Sequence, residues 1–176
     1  MSIRQILTVG APSLRERSAE VTNSQIRSPK MRRLVKDMTE TLAHAKGIGL
    51  AAPQIGEQVR VVLFDVPEDN GYADDGQVLS RTICINPEIT VLEGPVDGFW
   101  EGCLSVPGKR GFVERPQHIR LDFLDLAAKS RSMEFHGFLS TVCQHEIDHL
   151  DGVLYIDRVK EPELLVSDAE FDEEVE

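Results

Sequence analysis

The segment Gln144–His149 reads Q-H-E-I-D-H and contains the pattern H-E-x-x-H. In a helix, His145 and His149 are separated by about 400° of rotation, so both imidazoles project from nearly the same face. Two imidazoles placed in this way can hold one metal ion. Glu146 would then lie beside the ion as general base and later general acid for a metal-bound hydroxide nucleophile. The alternative is a structural pair of histidines satisfied by hydrogen bonds.

A hydrolytic metal site needs a third protein ligand. Cys143 would lie about 200° around the helix from the first histidine, and Cys84 lies in an apolar run, so we expect both thiols in the core. His44 and His118 have no distinctive neighbours. Elimination therefore favours Cys103, in the segment E-G-C-L-S, although a lone cysteine is more often a packed small hydrophobic residue.

A glycine-rich segment, Gly47–Gln54, reads G-I-G-L-A-A-P-Q. Its small residues permit the close backbone approach that pairing with an extended peptide requires. No Lys-Ser/Thr follows the glycines, which excludes a phosphate-binding loop. Gln54 offers an uncharged donor that could stabilise an oxyanion. The alternative is a plain helix stop followed by a tight turn.

Two helices can be predicted before this segment. Ser13–Val21 could form a short helix. A longer helix is predicted from about Pro29 to Lys46, stopped by Gly47, because apolar residues recur there at helical spacing. Its buried stripe comprises Met31, Leu34, Val35, Met38 and Leu42.

Strand-like runs rich in β-branched residues occupy the middle of the chain. They are Arg60–Val66, Thr82–Asn86, Glu88–Leu92, His118–Leu124 and Ser132–His136. Pro67–Gln77, rich in Asp, Gly, Pro and Asn, predicts an exposed loop. Phe138–Leu150 predicts a late helix with Gly152 suited to its C-terminal cap. The order predicts an α+β fold, with antiparallel or mixed sheets packed around a buried central helix that carries H-E-x-x-H.

Composition limits the function classes. The chain of 176 residues has a net charge of −11 and only three cysteines, which argues against broad nucleic-acid binding and against a disulfide scaffold. It has no run of about 20 apolar residues that could span a bilayer, and no signal-peptide pattern. We therefore expect a cytoplasmic protein with one catalytic domain, residues 1–160. Residues 161–176 would form an acidic tail, frayed and solvated from Asp168 onward.

The three motifs, in this order and spacing, resemble the peptide deformylase family, whose pattern is G-φ-G-φ-A-A-x-Q, then E-G-C-L-S, then Q-H-E-x-D-H. The resemblance extends over roughly Ile6 to Val159. It implies the removal of formyl from the formyl-methionine of new polypeptides, with release of formate. It also implies that Cys103, His145 and His149 bind the metal and that Glu146 is the general base and acid.

The resemblance assigns further residues. The backbone N–H of Leu104 and the amide of Gln54 would stabilise the oxyanion, and backbone at Ile48 and Gly49 would pair with the peptide. Arg110 matches a position at the rim of the methionine pocket.

Two acidic residues near the motifs are candidates for positions behind the metal ligands. We expect Asp148 to orient a partner such as Arg115, and Glu101 to hold the loop that bears Cys103. Exposed or structural salt bridges are the common alternative for both residues.

The metal and the partners follow from the same resemblance. A Cys/His₂ site suits zinc on ligand grounds, whereas members of the family commonly use Fe(II), which thiolate ligation makes oxygen-sensitive, and nickel or cobalt can substitute. We expect iron as the physiological ion and formylmethionyl peptides as partners, with no direct binding to nucleic acid or membrane. The basic C-terminal helix with which many bacterial members dock on the ribosome is absent, so we expect weak or no tethering.

Three alternatives to a deformylase stay open on the sequence. The first is another H-E-x-x-H metal-dependent amidase or peptidase. The second is a non-enzymatic protein that keeps the fold. The third is a metal-free nucleophile formed by Cys103 and a histidine.

Overall fold

Two antiparallel β-sheets pack against one central helix in the computed structural model, which describes residues 3–67 and 79–175. The helices are α1 (Asn23–Ile26), α2 (Pro29–Ala45), α3 (Gly137–Leu150) and α4 (Asp168–Val175). The strands are β1 (Gly49–Ala51), β2 (Val61–Val66), β3 (Leu79–Val91), β4 (Val96–Cys103), β5 (Val106–Pro116), β6 (His118–Leu124), β7 (Ser130–His136) and β8 (Leu165–Ser167). Short 3₁₀ helices cover Pro12–Arg15, Ala52–Ile55, Tyr155–Asp157 and Pro162–Leu164.

Strand pairing divides the fold into a larger and a smaller sheet. The larger sheet has the order β1-β2-β3-β6-β7 and the smaller sheet has the order β4-β5-β8. Every pair within them is antiparallel. The segments that carry the glycine-rich motif and the cysteine motif therefore lie in different sheets, and only the tertiary fold can bring them together.

Helix α2 confirms the predicted buried stripe. The hydroxyl of Ser28 accepts the Met31 N–H at 3.2 Å, and Pro29 occupies the first turn, as is typical of helix starts. Lys46 adopts a left-handed conformation with φ of 55° and ends the helix one residue before Gly47. Four of the five stripe residues are buried and the fifth is partly buried: Met31, Leu34, Met38 and Leu42, with Val35.

Helix α3 is buried on almost every side, as predicted for the central helix. Residues from Leu139 to Cys143 and from His145 to Leu150 are all buried. It contacts strands of both sheets. Gly152, with φ of 74°, follows the helix in a left-handed conformation, and a Cβ there would lie 2.6 Å from the backbone of Arg15. The predicted glycine stop is therefore confirmed.

The apolar core lies on the two faces of the larger sheet. One cluster joins α3 to the sheet through residues such as Phe64, Leu121 and Leu150, and the other packs α2 against residues such as Val61 and Ile85. Within residues 3–67 and 79–175, no helix is both long enough and apolar enough to cross a membrane.

Two local predictions are wrong. Ser13–Val21 is not a helix: after the 3₁₀ turn the chain is extended, and the N–H groups of Ser18 and Ala19 donate to the carbonyls of Leu150 and Gln58. The runs Thr82–Asn86 and Glu88–Leu92 belong to the single strand β3, whose register with β6 shifts between Ile85 and Glu88. Long-range partners decide both cases. Of the predicted loop Pro67–Gln77, residues 68–77 lie outside the described residues.

The hairpin β4–β5 and the C-terminal elements were not predicted. The hairpin strands are rich in glycine and are held by cross-strand pairs such as Trp100 with Phe112. The expectation of a frayed tail is wrong, because β8 pairs with β5 and is followed directly by α4. Phe171 of that helix packs edge-on against Trp100, with ring centroids 5.5 Å apart. An apolar contact thus anchors an otherwise acidic segment.

Candidate active site

Helix α3 and the β4–β5 hairpin bring together the three predicted metal ligands. The ligand atoms of Cys103, His145 and His149 all lie within 4.8 Å of one another. Cys103 is the last residue of β4, and its Sγ lies 3.3 Å from Nε2 of His149. Tetrahedral coordination of zinc by sulfur and nitrogen places two such ligands about 3.5 Å apart. The spacing therefore fits a divalent transition-metal ion.

The two imidazoles are prepared differently. The pKa of His149 lies well below its usual value because burial disfavours its charged form, and nearby His145 and Arg115 lower it further. Burial also opposes a charge on His145, but hydrogen bonds with Cys103 and Glu101 outweigh it and raise the pKa of His145 well above its usual value. A divalent cation bound at the three ligand atoms would supply the positive charge that the proton on His145 otherwise supplies to Cys103 and Glu101. This charge balance also fits a metal ion.

A chain of buried charges supports His145 from behind. Oε2 of Glu101 lies 2.7 Å from Nδ1 of His145, which leaves Nε2 of that imidazole for the cavity. Arg115 donates from Nε and Nη2 to the two oxygens of Glu101 and from Nη1 to Asp148 at 2.8 Å. The more exposed Arg158 also donates to both oxygens of Asp148. The predicted pairing of Asp148 with Arg115 is confirmed. Glu101 orients His145, and its expected role in holding the loop of Cys103 stays a prediction.

The carboxylate of Glu146, unlike that of Asp148, forms no ion pair with any residue that the structure describes. It is buried, and among the described residues its Oε2 has no hydrogen-bond partner. Burial raises the pKa of Glu146 to about 7. A carboxyl group that titrates near neutral pH beside a metal site is suited to accept and return a proton.

Gly49 explains how the carboxylate of Glu146 fits beside the larger sheet. A Cβ at Gly49 would lie 2.4 Å from Oε1 of Glu146, far inside van der Waals contact. Strand β1 must therefore lack a side chain at this position. β1 is also an edge strand of its sheet, which leaves backbone available for pairing with an extended peptide.

The amide of Gln54 is oriented by its own turn. Its Oε1 accepts the Ala51 N–H at 2.8 Å, so that Nε2 must face the site. There Nε2 donates to Oγ of buried Ser105 at 3.1 Å and lies 3.7 Å from Sγ of Cys103. Leu104 and Ser105 form the turn between β4 and β5, next to the thiol. Both predicted oxyanion donors therefore belong to residues that border the metal site.

All these groups border a cavity of about 550 Å³, which lies in the range of small-molecule and peptide sites. Its walls include the three remaining predicted residues: Ile48, Gly49 and Arg110. Its apolar part is formed by side chains such as Phe99, Phe138 and Val142. The structure thus places every predicted site residue on this cavity or, for His149, directly behind it at the thiol.

Comparison with known proteins agrees with this geometry. The sequence model of the polypeptide deformylase family matches residues 3–164. A peptide deformylase from Leptospira biflexa serovar Patoc is 45% identical over 172 residues, which cover 98% of this chain and 96% of that protein. The chain belongs to the polypeptide deformylase family.

Solved deformylase structures share the fold. A class I type b peptide deformylase from Acinetobacter baumannii with Met-Ala-Ser bound has a TM-score of 0.83 and 31% identity, covering 90% of this chain and 100% of that one. A peptide deformylase from Synechococcus elongatus in complex with actinonin has a TM-score of 0.80 and 31% identity, covering 92% of this chain and 81% of that one. These likenesses confirm the α+β deformylase fold.

Family membership makes the chain a metal-dependent hydrolase of the deformylase type. It sets aside the alternatives of an unrelated H-E-x-x-H amidase and of a non-enzymatic protein. Two residues at the deformylase site were not found by sequence reasoning. Ser105 lies inside the quoted motif but was given no role, and Asp168, which borders the cavity, lies in the segment expected to fray.

Proposed function

We propose that this protein hydrolyses the N-terminal formyl group of formylmethionyl peptides, releasing formate and a free amine. One observation carries the proposal: the buried carboxylate of Glu146, with an unpartnered oxygen and a pKa near 7, borders the same cavity as Cys103 and His145. The bound Met-Ala-Ser of the Acinetobacter baumannii relative supports a peptide that begins with methionine.

Cys103, His145 and His149 would hold the metal ion. When bound, a divalent cation supplies Lewis acidity and makes water nucleophilic at neutral pH. One thiolate and two imidazoles suit several ions of the first transition series, including Fe(II), Zn, Ni and Co. We infer that Fe(II) is the physiological ion, since the family resemblance favours it, and that zinc, nickel and cobalt are replacements.

Glu146 is the residue that we assign to proton transfer. Its carboxylate accepts a proton as water oxygen bonds to the formyl carbon. It then donates that proton to the amide nitrogen as the C–N bond breaks. The products are formate and the α-amino group, so that Glu146 returns to its starting state.

The oxyanion is assigned to two donors from different elements. Gln54, with Nε2 directed into the site by the Ala51 N–H, and the backbone N–H of Leu104 would stabilise the negative oxygen. Loss of one such donor costs on the order of 2.7–4 kcal/mol of transition-state stabilisation. Both hydrogen bonds strengthen as negative charge develops on the oxygen, so the donors stabilise the transition state more than the ground-state carbonyl.

Substrate binding is assigned to the edge strand and the cavity walls. Backbone at Ile48 and Gly49 would pair with the extended peptide, and the methionine side chain would enter the apolar part of the cavity. Arg110 would lie at the rim of that pocket.

The cellular setting is also a proposal. Nascent formylated chains are made in the cytoplasm of bacteria, and we place the enzyme there. The last 16 residues carry eight acidic side chains and no basic one, which disfavours contact with ribosomal RNA. We therefore propose weak or no tethering to the ribosome and no direct nucleic-acid binding.

A pair of matched peptides tests the activity. The protein, purified and assayed without oxygen, should release formate from formyl-Met-Ala-Ser and leave acetyl-Met-Ala-Ser intact. Equal cleavage of both peptides would exclude a deformylase. Metal analysis of the same sample identifies the ion, and activity that survives complete chelation would instead favour a metal-free cysteine nucleophile.

A further inference from the structure

The C-terminal strand and helix bring a carboxylate to the rim of the active-site cavity. We propose that this residue, Asp168, tunes the charge preference of the cleft for the peptide residues that follow formyl-methionine by offsetting the charge of Arg110, so that acidic peptides bind less well than they would without it. The inference rests on the proposed deformylase function and adds a determinant of specificity to it. Asp168 lies beyond residues 3–164, which the family model matches.

Strand β8 fixes where Asp168 lies. In its pairing with β5, Ser167 lies opposite Lys109 and Val166 lies opposite Arg110. The chain then turns directly into α4, whose first residue is Asp168. Asp168 consequently borders the same cavity as Cys103. Backbone pairing, rather than a flexible tail, holds the carboxylate in place.

Arg110 connects Asp168 to the centre of the site. Its Nε donates to Oδ1 of Asp168 at 3.1 Å, and its guanidinium carbon lies 5.7 Å from the ring centroid of Phe171. On the other side, a Cβ at Gly102 would lie 2.5 Å from Nη1 of Arg110. The guanidinium therefore extends from the neighbour of Cys103 to the start of α4, along the wall that a bound peptide would follow.

Helix capping does not account for the position of Asp168. The cap of α4 is made by Ser167 and Glu170: Oε2 of Glu170 accepts the Ser167 N–H at 2.7 Å, and Oγ of Ser167 accepts the Glu170 N–H at 3.2 Å. This reciprocal pair satisfies the first turn. The Asp168 side chain is free of that task and binds Arg110.

The charges around the cavity show why one carboxylate matters. Among the lining residues that the structure describes, three are cations: Lys46, Lys109 and Arg110. Of the acidic ones, Glu101 and Glu146 are buried inside the site, whereas the Asp168 side chain is 49% exposed at the rim. Removing its charge leaves Arg110 without its paired acid, whereas Lys109 keeps Glu170 nearby. Acidic peptides would then gain attraction and basic peptides would lose it.

Charge-matched variants test the proposal. The measured quantity is the ratio of kcat/KM for formyl-Met-Ala-Lys over formyl-Met-Ala-Glu. In D168N this ratio should fall by roughly two- to fivefold, the scale of exposed charge pairs, mainly through KM. D172N removes the same charge from the same helix and serves as the control; its ratio should not change. D168E should retain the wild-type ratio, and the difference should shrink at 1 M salt.

The possible results distinguish failure of the proposal about Asp168 from failure of the proposed function. Equal ratios in D168N and D172N would overturn the proposal. A uniform fall in kcat for the lysine, glutamate and serine peptides would overturn it too, since that result indicates a structural role. If the wild type deformylates none of the three peptides, so that no formate is released, the proposed function fails. If it hydrolyses formyl-Met-Ala-Ser but D168N leaves the lysine-to-glutamate ratio at the wild-type value, only the inference about Asp168 fails.

Discussion

Glu101 and Glu146 are buried to the same extent, each 6% exposed, yet their pKa values move in opposite directions. Burial alone raises both. At Glu101, hydrogen bonds and positive charge from His145 and Arg115 outweigh burial and lower the pKa. At Glu146 burial outweighs the positive charges of His145 and Arg115, and the pKa rises to about 7. The difference shows that the surroundings, not the depth, separate a structural carboxylate from a reactive one.

The two carboxylates also differ in what surrounds them. Glu101 belongs to a connected chain of charges that runs from buried Arg115 and Asp148 to the exposed Arg158 and holds His145, a proposed metal ligand, in place. Glu146 faces the cavity and the bare backbone of Gly49. We therefore expect removal of Glu146 to affect turnover, and disruption around Glu101 to affect folding and metal binding.

The largest expected effect is on turnover. Glu146→Gln should lower kcat by about 10²- to 10⁴-fold, because it removes the group assigned to proton transfer, while metal content is retained. Formate release and elemental analysis measure both quantities. Glu88→Gln, an exposed glutamate on β3, is the matched control and should retain full activity. A kcat of Glu146→Gln within tenfold of the wild type would contradict the assignment of Glu146 as the reactive carboxylate.

The next effect is on stability and metal affinity. Arg115→Met leaves Glu101 and Asp148 without their shared buried cation, which should cost about 3–5 kcal/mol of unfolding free energy. Metal affinity should fall about 10- to 100-fold, because Glu101, which orients His145, loses the arginine that holds it in place. Urea unfolding and titration against a competing chelator measure the two losses. Arg120→Met on the surface of β6 is the control, and equal losses in both variants would contradict the assignment.

The smallest effect is a dependence of stability on pH. In metal-free protein, the pKa of Glu146 is about 7 in the folded state, against a usual value of 4.5. The folded protein therefore keeps a proton that the unfolded chain has lost, and stability falls as pH rises from 4.5 to 7. Glu146→Gln should escape this loss, so that its advantage over the wild type grows to about 3 kcal/mol at pH 8. If the difference in unfolding free energy between Glu146→Gln and the wild type does not change with pH, burial does not raise the pKa of Glu146.

Sequence reasoning was most successful where one element contains the whole pattern. The stripe of α2 and the register of His145 and His149 on α3 follow from the 3.6-residue period, and strand His118–Leu124 was predicted with its observed bounds. It failed for the β4–β5 hairpin, whose glycine-rich strands depend on cross-strand partners. It failed again for residues 165–175, where acidic composition concealed a backbone pairing and one aromatic anchor, Phe171.

The sequence by itself indicated the chemistry of this protein: which side chains can bind a metal and which carboxylate can move a proton. Residue type and helical period are local properties, so they can be deduced from neighbouring positions. Only the tertiary structure decided that Glu101 orients His145, that one oxygen of Glu146 has no hydrogen-bond partner among the described residues, and that Asp168 reaches the rim. Those outcomes depend on contacts between residues far apart in the chain, and no local pattern records them.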